Sequence, residues 1–156
     1  MIRVLFVCLG NICRSPMAEA VFRDLVEKEN LAGKIEVDSS GTGDWHIGAA
    51  PHKGTRELLD KQQVPHEGLS ARQFHDSDWD DFDYIIAMDD KNISDLKKVY
   101  QKNEGFAVRK LMDFVEESEV GNIPDPYFTG DFDHTYELVS KGCKNLFTYI
   151  KEKHTI

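Results

Sequence analysis

Apolar positions change their period several times along the chain, and each change marks an element. Ile2-Arg3-Val4-Leu5-Phe6-Val7 is a nearly continuous β-branched run, the pattern of a strand buried on both faces of a parallel sheet. Leu9 to Ser15 interrupts it with the turn formers Gly10 and Asn11. A helix is predicted from Pro16, with Ser15 as its N-cap and proline at its first position. Met17, Ala20, Val21 and Leu25 recur at helical spacing and are expected to face the sheet. Lys34 to Ser39 reads as a second strand, closed by Gly41 and Gly43, and Pro51 to Gln62 as a helix anchored by Leu58 and Leu59. Phe82 to Met88 is a third buried strand. Asp89 to Tyr100 is a helix with Ile93, Leu96 and Tyr100 on one face, and a short strand is expected near Ala107–Leu111. Phe132 to Lys151 is the clearest helix, because Phe132, Tyr136, Val139, Cys143, Leu146, Phe147 and Ile150 follow steps of three and four.

Strands alternating with helices predict an α/β fold, a parallel sheet covered on both faces. Right-handed crossovers then bring ligands to the carboxyl ends of the strands, so residues 8–15 are the first place to look for chemistry. The length, 156 residues, suits one domain with a real core. Acids outnumber bases 28 to 19, a net charge of −9. No net basic field draws nucleic acid or anionic lipid, so an anion site must be built locally. No apolar run is long enough to span a membrane, and the run before Cys8 is too short for a signal peptide. Three cysteines, at 8, 13 and 143, suit neither a disulfide framework nor, with histidines so spaced, a zinc site; a reducing cytoplasm is the expected compartment.

The loop reads Cys8-Leu9-Gly10-Asn11-Ile12-Cys13-Arg14-Ser15. A short loop from a buried strand into a helix N-terminus turns several N–H groups toward one point, a site for a dianion such as phosphate. Gly10 is expected to supply a positive φ where the chain curls. Arg14 offers a planar fork for two phosphate oxygens. Cys8 lies beneath this cradle, where helix N-termini and cations favour a thiolate, and Ser15 can donate its hydroxyl to that sulfur or cap the helix. Such a thiolate is placed for in-line attack on phosphorus. A lone cysteine at a strand end is usually a small buried hydrophobe; the arginine six residues on, then Ser-Pro opening a helix, reverses that reading here. Cys13 packs or reaches Cys8 on oxidation, and Cys143 reads as core. Expulsion of an alkoxide or phenolate needs a proton donor. Pro124-Asp125-Pro126-Tyr127-Phe128 supplies a carboxyl group in a stiffened turn, with Pro126 disfavouring the helical region at Asp125.

With these residues in hand, the chain resembles the low-molecular-weight protein tyrosine phosphatases along essentially its whole length. The resemblance rests on Val7 to Pro16 and on Asp125-Pro126-Tyr127. It is supported by Asp38-Ser39, Asp44-Trp45, Ala71-Arg72-Gln73 and Phe82 to Asp89. A cysteine, five residues and an arginine recur on other phosphatase folds; their place at the N-terminus with Asp-Pro-Tyr far downstream is particular to this family. The resemblance implies a three-layer α/β sandwich over residues 1–156 as one domain. Its four-stranded parallel sheet would carry helices on both faces, flavodoxin-like or Rossmann-like, the phosphotyrosine phosphatase I fold. It implies Cys8 as nucleophile, Arg14 as phosphate ligand, Ser15 as stabiliser of the leaving thiolate, Asn11 and Ser39 as loop-shaping residues, and Asp125 as acid and then base. Leu9, Gly10, Ile12 and Cys13 belong to the substrate-binding loop, and Trp45, Tyr127 and Phe128 to the cleft mouth. The substrates implied are tyrosine-phosphorylated proteins, with inorganic phosphate as product and inhibitor and without metal, cofactor, nucleic acid or membrane.

The chain departs from the family in two places. Some animal members carry a histidine just before the Ala-Arg-Gln segment, tied to the loop's hydrogen bonds, where this chain has Leu69; His66 is out of register. Phe128 lacks the hydroxyl of a second tyrosine. His46, His52, His75, His134 and His154 read as mostly surface residues, and the seven aspartates from Asp76 to Asp90 as a solvated acidic face. Asp89 and Glu19 are candidates to orient Arg14, although an exposed carboxylate explains either equally well. Three rivals share the scaffold. Arsenate reduction needs further relay cysteines, absent after Met88 except for Cys143. Phosphoarginine hydrolysis goes with threonine at the position of Ile12. An inactive phosphotyrosine-binding module sits poorly with Cys8, Arg14 and Asp125 together. A dinucleotide domain lacks its glycine signature.

Overall fold

The computed structural model describes residues 1–99, 108–116 and 120–156. Tyr100 and Ala107, assigned above to a helix face and a strand, lie outside the described residues. In chain order the elements are β1 (Ile2–Cys8), α1 (Arg14–Lys28), β2 (Ile35–Gly41), α2 (Lys53–Lys61), α3 (Asp78–Asp81), β3 (Tyr84–Ala87), α4 (Asp90–Val99) and β4 (Arg109–Lys110), then a 3-10 turn (Leu111–Phe114), α5 (Pro126–Thr129) and α6 (Phe132–His154). The strands form one parallel sheet in the order β2-β1-β3-β4.

β1 is central, and its alternation assigns the two faces. Val4, Phe6 and Cys8 point into a core shared with Met17, Ala20, Val21 and Phe22 of α1 and with Val139, Cys143, Leu146, Phe147 and Ile150 of α6. Leu5 and Val7 point the other way, onto Phe74, Trp79, Phe82 and Leu96. This double burial is why β1 shows almost no polar break, and it makes the three-layer α/β sandwich expected from the sequence. The last helix keeps its predicted stripe, with Cys143 in the core.

Several boundaries move, each for a local reason. α1 begins at Arg14, so Ser15 is inside the helix rather than its cap and Pro16 stands third; the preceding Cys13 makes no side-chain cap bond. Proline is tolerated there because the first four N–H groups of a helix lack intrahelical acceptors. β2 runs on to Gly41 because its last residues pair with Val7 and Cys8. β3 is only Tyr84–Ala87, preceded by the short helix α3 that apolar periodicity did not reveal. α2 starts at Lys53, capped by the His52 ring, which accepts from the Gly54 N–H. β4 is two residues long, and α6 extends to His154.

In this strand order the chain leaves β1 toward β2 on one side and returns to β3 on the other. The loops after β1 and β3 therefore diverge and open a crevice between them. Residues 8–13 line one side of it and Met88-Asp89 the other. Ile123 reaches the same end by donating its N–H to the Met88 carbonyl at 3.0 Å, which brings the segment leading to Asp125 alongside.

Candidate active site

The loop after β1 is shaped from outside. The carbonyls of Cys8, Leu9 and Ile12 accept N–H groups of Thr42, Gly43 and His52 at 2.9, 2.9 and 2.7 Å, and the Cys13 carbonyl accepts the Thr55 hydroxyl at 3.3 Å. In a trans peptide the carbonyl of one residue and the N–H of the next point oppositely. Tying these carbonyls outward therefore turns the N–H groups of Leu9, Gly10, Cys13 and Arg14 inward, an arrangement that can receive an anion. The left-handed residue in the curl is Asn11, with φ of 57°, not Gly10 as expected. Gly10 serves close approach instead: a Cβ there would stand 3.1 Å from His46 Cδ2.

Cys8 Sγ sits at the base of this loop, 3% exposed. It accepts the Asn11 N–H at 3.3 Å and lies 2.9 Å from Ser15 Oγ. Asn11 Nδ2 donates to Ser15 Oγ at 2.7 Å and to Ser39 Oγ at 2.9 Å, while its Oδ1 accepts the Arg72 N–H at 3.0 Å. Ser39 in turn donates to Glu19 at 2.6 Å. Glu19, named above as a possible partner of Arg14, belongs to this network instead; its helix position points it at β2, whereas Arg14 turns into the crevice.

Asp89 is the partner that holds Arg14. The guanidinium is 2% exposed and donates through Nη1 to Asp89 Oδ2 at 2.5 Å and to the Ile123 carbonyl at 2.9 Å, and through Nη2 to Asp125 Oδ2 at 3.4 Å. Asp89 is itself oriented, since its Oδ1 accepts the Asn92 N–H at 2.8 Å and Asn92 Oδ1 accepts back from the Asp89 N–H. Burial works against charge on Arg14, but Cys8, Asp89 and Asp125 outweigh it and hold the guanidinium protonated. Its Nε is buried without a hydrogen-bond partner. A buried cationic donor of this kind is costly unless an acceptor meets it, and an oxyanion is the matching chemistry.

Asp125 faces the loop from a tight turn. Its backbone is extended, as the following proline requires, and its Oδ1 accepts the Tyr127 N–H at 3.1 Å, capping α5. Gly130, at φ of 76°, ends that helix after one turn, so the carboxyl group is pinned at a short, closed corner. The cleft between has a volume of about 370 Å³. Its walls are Cys8, Leu9, Gly10, Ile12, Cys13 and Asp125, with Trp45, His46, Tyr127 and Phe128 at the mouth. Each expected cleft residue is thus brought to one cavity, while Arg14, Ser15, Asn11 and Ser39 lie beneath or behind it.

Cys13 is a protonated thiol: burial, with the charges of Cys8 and Asp125, pushes it up to about 12 against the opposing effects of Arg14 and the Thr55 hydrogen bond. His75, His134 and His154 are exposed as expected, and His46 and His52 are half-buried beside the cleft. His46 lines the cleft, and His52 stacks on Phe132 at 5.2 Å between ring centres and meets Tyr127 edge-on at 6.0 Å. Neither histidine has a spacing signal of its own; the adjacency of His46 to Trp45 was the available clue. Asp78, by contrast, is no part of the solvated acidic face expected from the sequence. It is 4% exposed and takes a two-pronged contact from Arg72 at 2.9 and 3.2 Å, while Asp38 accepts Arg72 Nε at 3.1 Å. These bonds fix the segment whose N–H orients Asn11. Among the described residues, no group of three or more His, Cys, Asp or Glu side chains is arranged to hold a metal ion.

Residues 3–155 match the family described as low molecular weight phosphotyrosine protein phosphatase. The chain is 50% identical over 153 residues to the low molecular weight protein-tyrosine-phosphatase YfkJ of Bacillus subtilis, covering 98% of each. Against the crystal structure of YfkJ the TM-score is 0.95, covering 98% of this chain and 96% of that one. It is 45% identical to the low molecular weight protein-tyrosine-phosphatase PtpA of Staphylococcus aureus, covering 96% of this chain and 94% of that protein. A Drosophila arginine phosphatase structure also superposes, with a TM-score of 0.86 at 34% identity, covering 95% of this chain and 97% of that one.

Proposed function

The chain belongs to the low molecular weight phosphotyrosine protein phosphatase family, and on that footing we propose that it hydrolyses phosphotyrosine in proteins through a phosphocysteine intermediate. The observation that carries the reading is the convergence on one cleft of a sulfur hydrogen-bonded to the Asn11 N–H and the Ser15 hydroxyl, a buried guanidinium with an unpartnered Nε and a carboxyl group pinned opposite.

In the first step the S–P bond from Cys8 forms as the P–O bond to the tyrosyl oxygen breaks, and Asp125 gives that oxygen its proton. Arg14 and the inward N–H groups of the loop hold the phosphoryl oxygens as charge redistributes. In the second step water passes its proton to Asp125 and attacks phosphorus. The S–P bond breaks, inorganic phosphate leaves, and the sulfur departs as a thiolate that Ser15 stabilises. These side chains and water balance both steps. Asn11 and Ser39 keep the loop in shape, Gly10 and Cys13 complete the cradle, and Leu9, Ile12, Trp45, Tyr127 and Phe128 embrace the phenyl ring. Phosphoproteins are the substrates, and phosphate is the product and a competitive ligand. The three free cysteines suit a cytoplasmic setting.

A second reading, hydrolysis of protein phosphoarginine, draws on the Drosophila neighbour. Ile12 weighs against it, since an apolar wall offers no acceptor to a guanidinium. Peptides bearing phosphotyrosine, phosphoserine or phosphoarginine, assayed with a chelator present, decide the matter. Release of phosphate chiefly from phosphotyrosine is expected, with acid-quenched enzyme carrying phosphate on Cys8. Preference for phosphoarginine, or phosphate trapped on another residue, overturns the reading.

A further inference from the structure

Glu19 takes no part in the steps above, yet it closes the chain of hydrogen bonds that ends on the nucleophile. The direction of that chain can be worked out donor by donor. The Arg72 N–H at 3.0 Å identifies the oxygen of the Asn11 amide, so both Nδ2 hydrogens go to serine oxygens, those of Ser15 and Ser39. Each serine accepts from Asn11 and must place its own proton elsewhere. Ser39 gives its proton to Glu19 Oε1 at 2.6 Å. Ser15 has two choices, the Cys8 sulfur at 2.9 Å and the Ser40 carbonyl at the longer 3.4 Å.

We propose that Glu19, in its ionised form, is a positioning residue: by accepting the Ser39 proton it leaves the Ser39 oxygen to receive the Asn11 amide, whose other N–H holds Ser15 with its hydroxyl toward the Cys8 sulfur. A protonated Glu19 donates to Ser39 Oγ instead. The Ser39 proton then loses its acceptor and competes for the place of the Asn11 N–H, which loosens the amide that sets Ser15. The step most exposed to this is the second, in which sulfur leaves as an anion.

The surroundings put this exchange in a physiological range. Burial, the largest influence, pushes Glu19 up to about 7, with Asp38 on β2 adding to the shift; the Ser39 hydrogen bond, Arg23 on α1 and Arg72 oppose it. Leu69 sits where some animal relatives place a histidine, and here the carboxylate meets Ser39 directly. The inference rests on the phosphatase reading of the same site.

The test compares wild type, Glu19→Gln and Glu19→Leu with p-nitrophenyl phosphate across pH 5.5–8.5. Turnover, inhibition by inorganic phosphate and the presteady-state burst of nitrophenol are measured on each. The expected result at pH 8 is a kcat lowered about three- to tenfold, the scale of one hydrogen bond. The loss should be greater in Glu19→Leu, with phosphate inhibition within twofold of wild type and a larger burst from accumulated phosphocysteine. The ratio of wild-type to Glu19→Gln turnover should widen as pH rises through about 7. Equal kcat at pH 8, a ratio independent of pH, or parallel loss of kcat and phosphate affinity overturns the proposal. A wild type that hydrolyses no phosphoester removes the phosphatase reading itself, a different outcome from equal turnover in all three proteins.

Discussion

The loop at the floor of the cleft and the side chains at its mouth are held in different ways. At the floor, Arg14 is 2% exposed and fastened by Asp89, the Ile123 carbonyl and Asp125, while Cys8 accepts a backbone N–H and lies against the Ser15 hydroxyl. At the mouth, Trp45, Ile47, Tyr127 and Phe128 are more than half exposed, and Tyr127 is supported by ring contacts to His46, His52 and Phe128. The floor has nearly every polar atom assigned; the mouth has surface to offer. Reaction chemistry, which depends on fixed geometry, belongs to the first region, and choice of substrate, which depends on contact area, to the second. Substitutions at the floor should therefore change rate, and those at the mouth should change selectivity.

The largest test of this division is Cys8→Ser. Turnover should fall below detection while phosphate binding and the melting midpoint stay near wild type, because the cradle does not depend on sulfur; measurable turnover would remove Cys8 from its role. Next, Asp125→Asn should slow phenolic esters with poor leaving groups by about 10²–10⁴-fold and activated esters far less. Equal slowing of both classes would make Asp125 a purely structural cap. Third, stability should respond to Glu19. Its folded-state value of about 7 stands above the ordinary 4.5, so its contribution to stability is intact below 4.5 and is lost as pH rises through about 7. Glu19→Gln should therefore melt higher than wild type at pH 8, by about 1–3 kcal/mol of stability, with the gap closing toward pH 5. A gap that does not vary with pH would contradict the buried carboxylate.

Toward the mouth the effects become smaller. Ile12 belongs to both regions: it lines the cleft and packs with Cys13, Ala71 and Phe132. Ile12→Thr should raise the phosphoarginine to phosphotyrosine ratio of kcat/KM about tenfold, as one hydrogen bond is worth close to a decade. An unchanged ratio would return substrate choice to the rim. Finally, Tyr127→Ala should raise KM for phosphotyrosine peptides by about two- to tenfold with kcat held, since a ring contact contributes roughly 0.5–1.5 kcal/mol. A loss confined to kcat would mean that Tyr127 acts through the Asp125 cap instead.

The same contrast explains what could be read from residues alone. β1, α1 and α6 announce themselves because burial on a sheet or along a helix stripe imposes a period, and Cys8, Arg14 and Asp125 because their spacing and neighbours restrict the chemistry. The loop's support was harder to see. Asp89 stands 75 residues from Arg14 and Arg72 stands 61 from Asn11, and no local pattern reports such pairs. Glycine at position 10 suggested a positive φ, but asparagine also tolerates that conformation, and here Asn11 takes it while Gly10 makes room for His46. Asp78 was hidden in a run of like charges, since its partner Arg72 lies before that run and composition does not pair one with the other.

The reach of Arg14 also bears on how the protein is made. Its side chain closes on Ile123 and Asp125, 109 and 111 residues further along. At synthesis rates of about 5–20 residues per second, the nucleophile precedes its acid out of the ribosome by roughly 6–23 seconds. Through that interval β1, α1 and β2 can already associate, being neighbours in sequence, while the guanidinium still lacks the Ile123 carbonyl and Asp125. The catalytic assembly is thus held by long connections, and a nascent chain carrying Cys8 has no complete site until Asp125 has been synthesised.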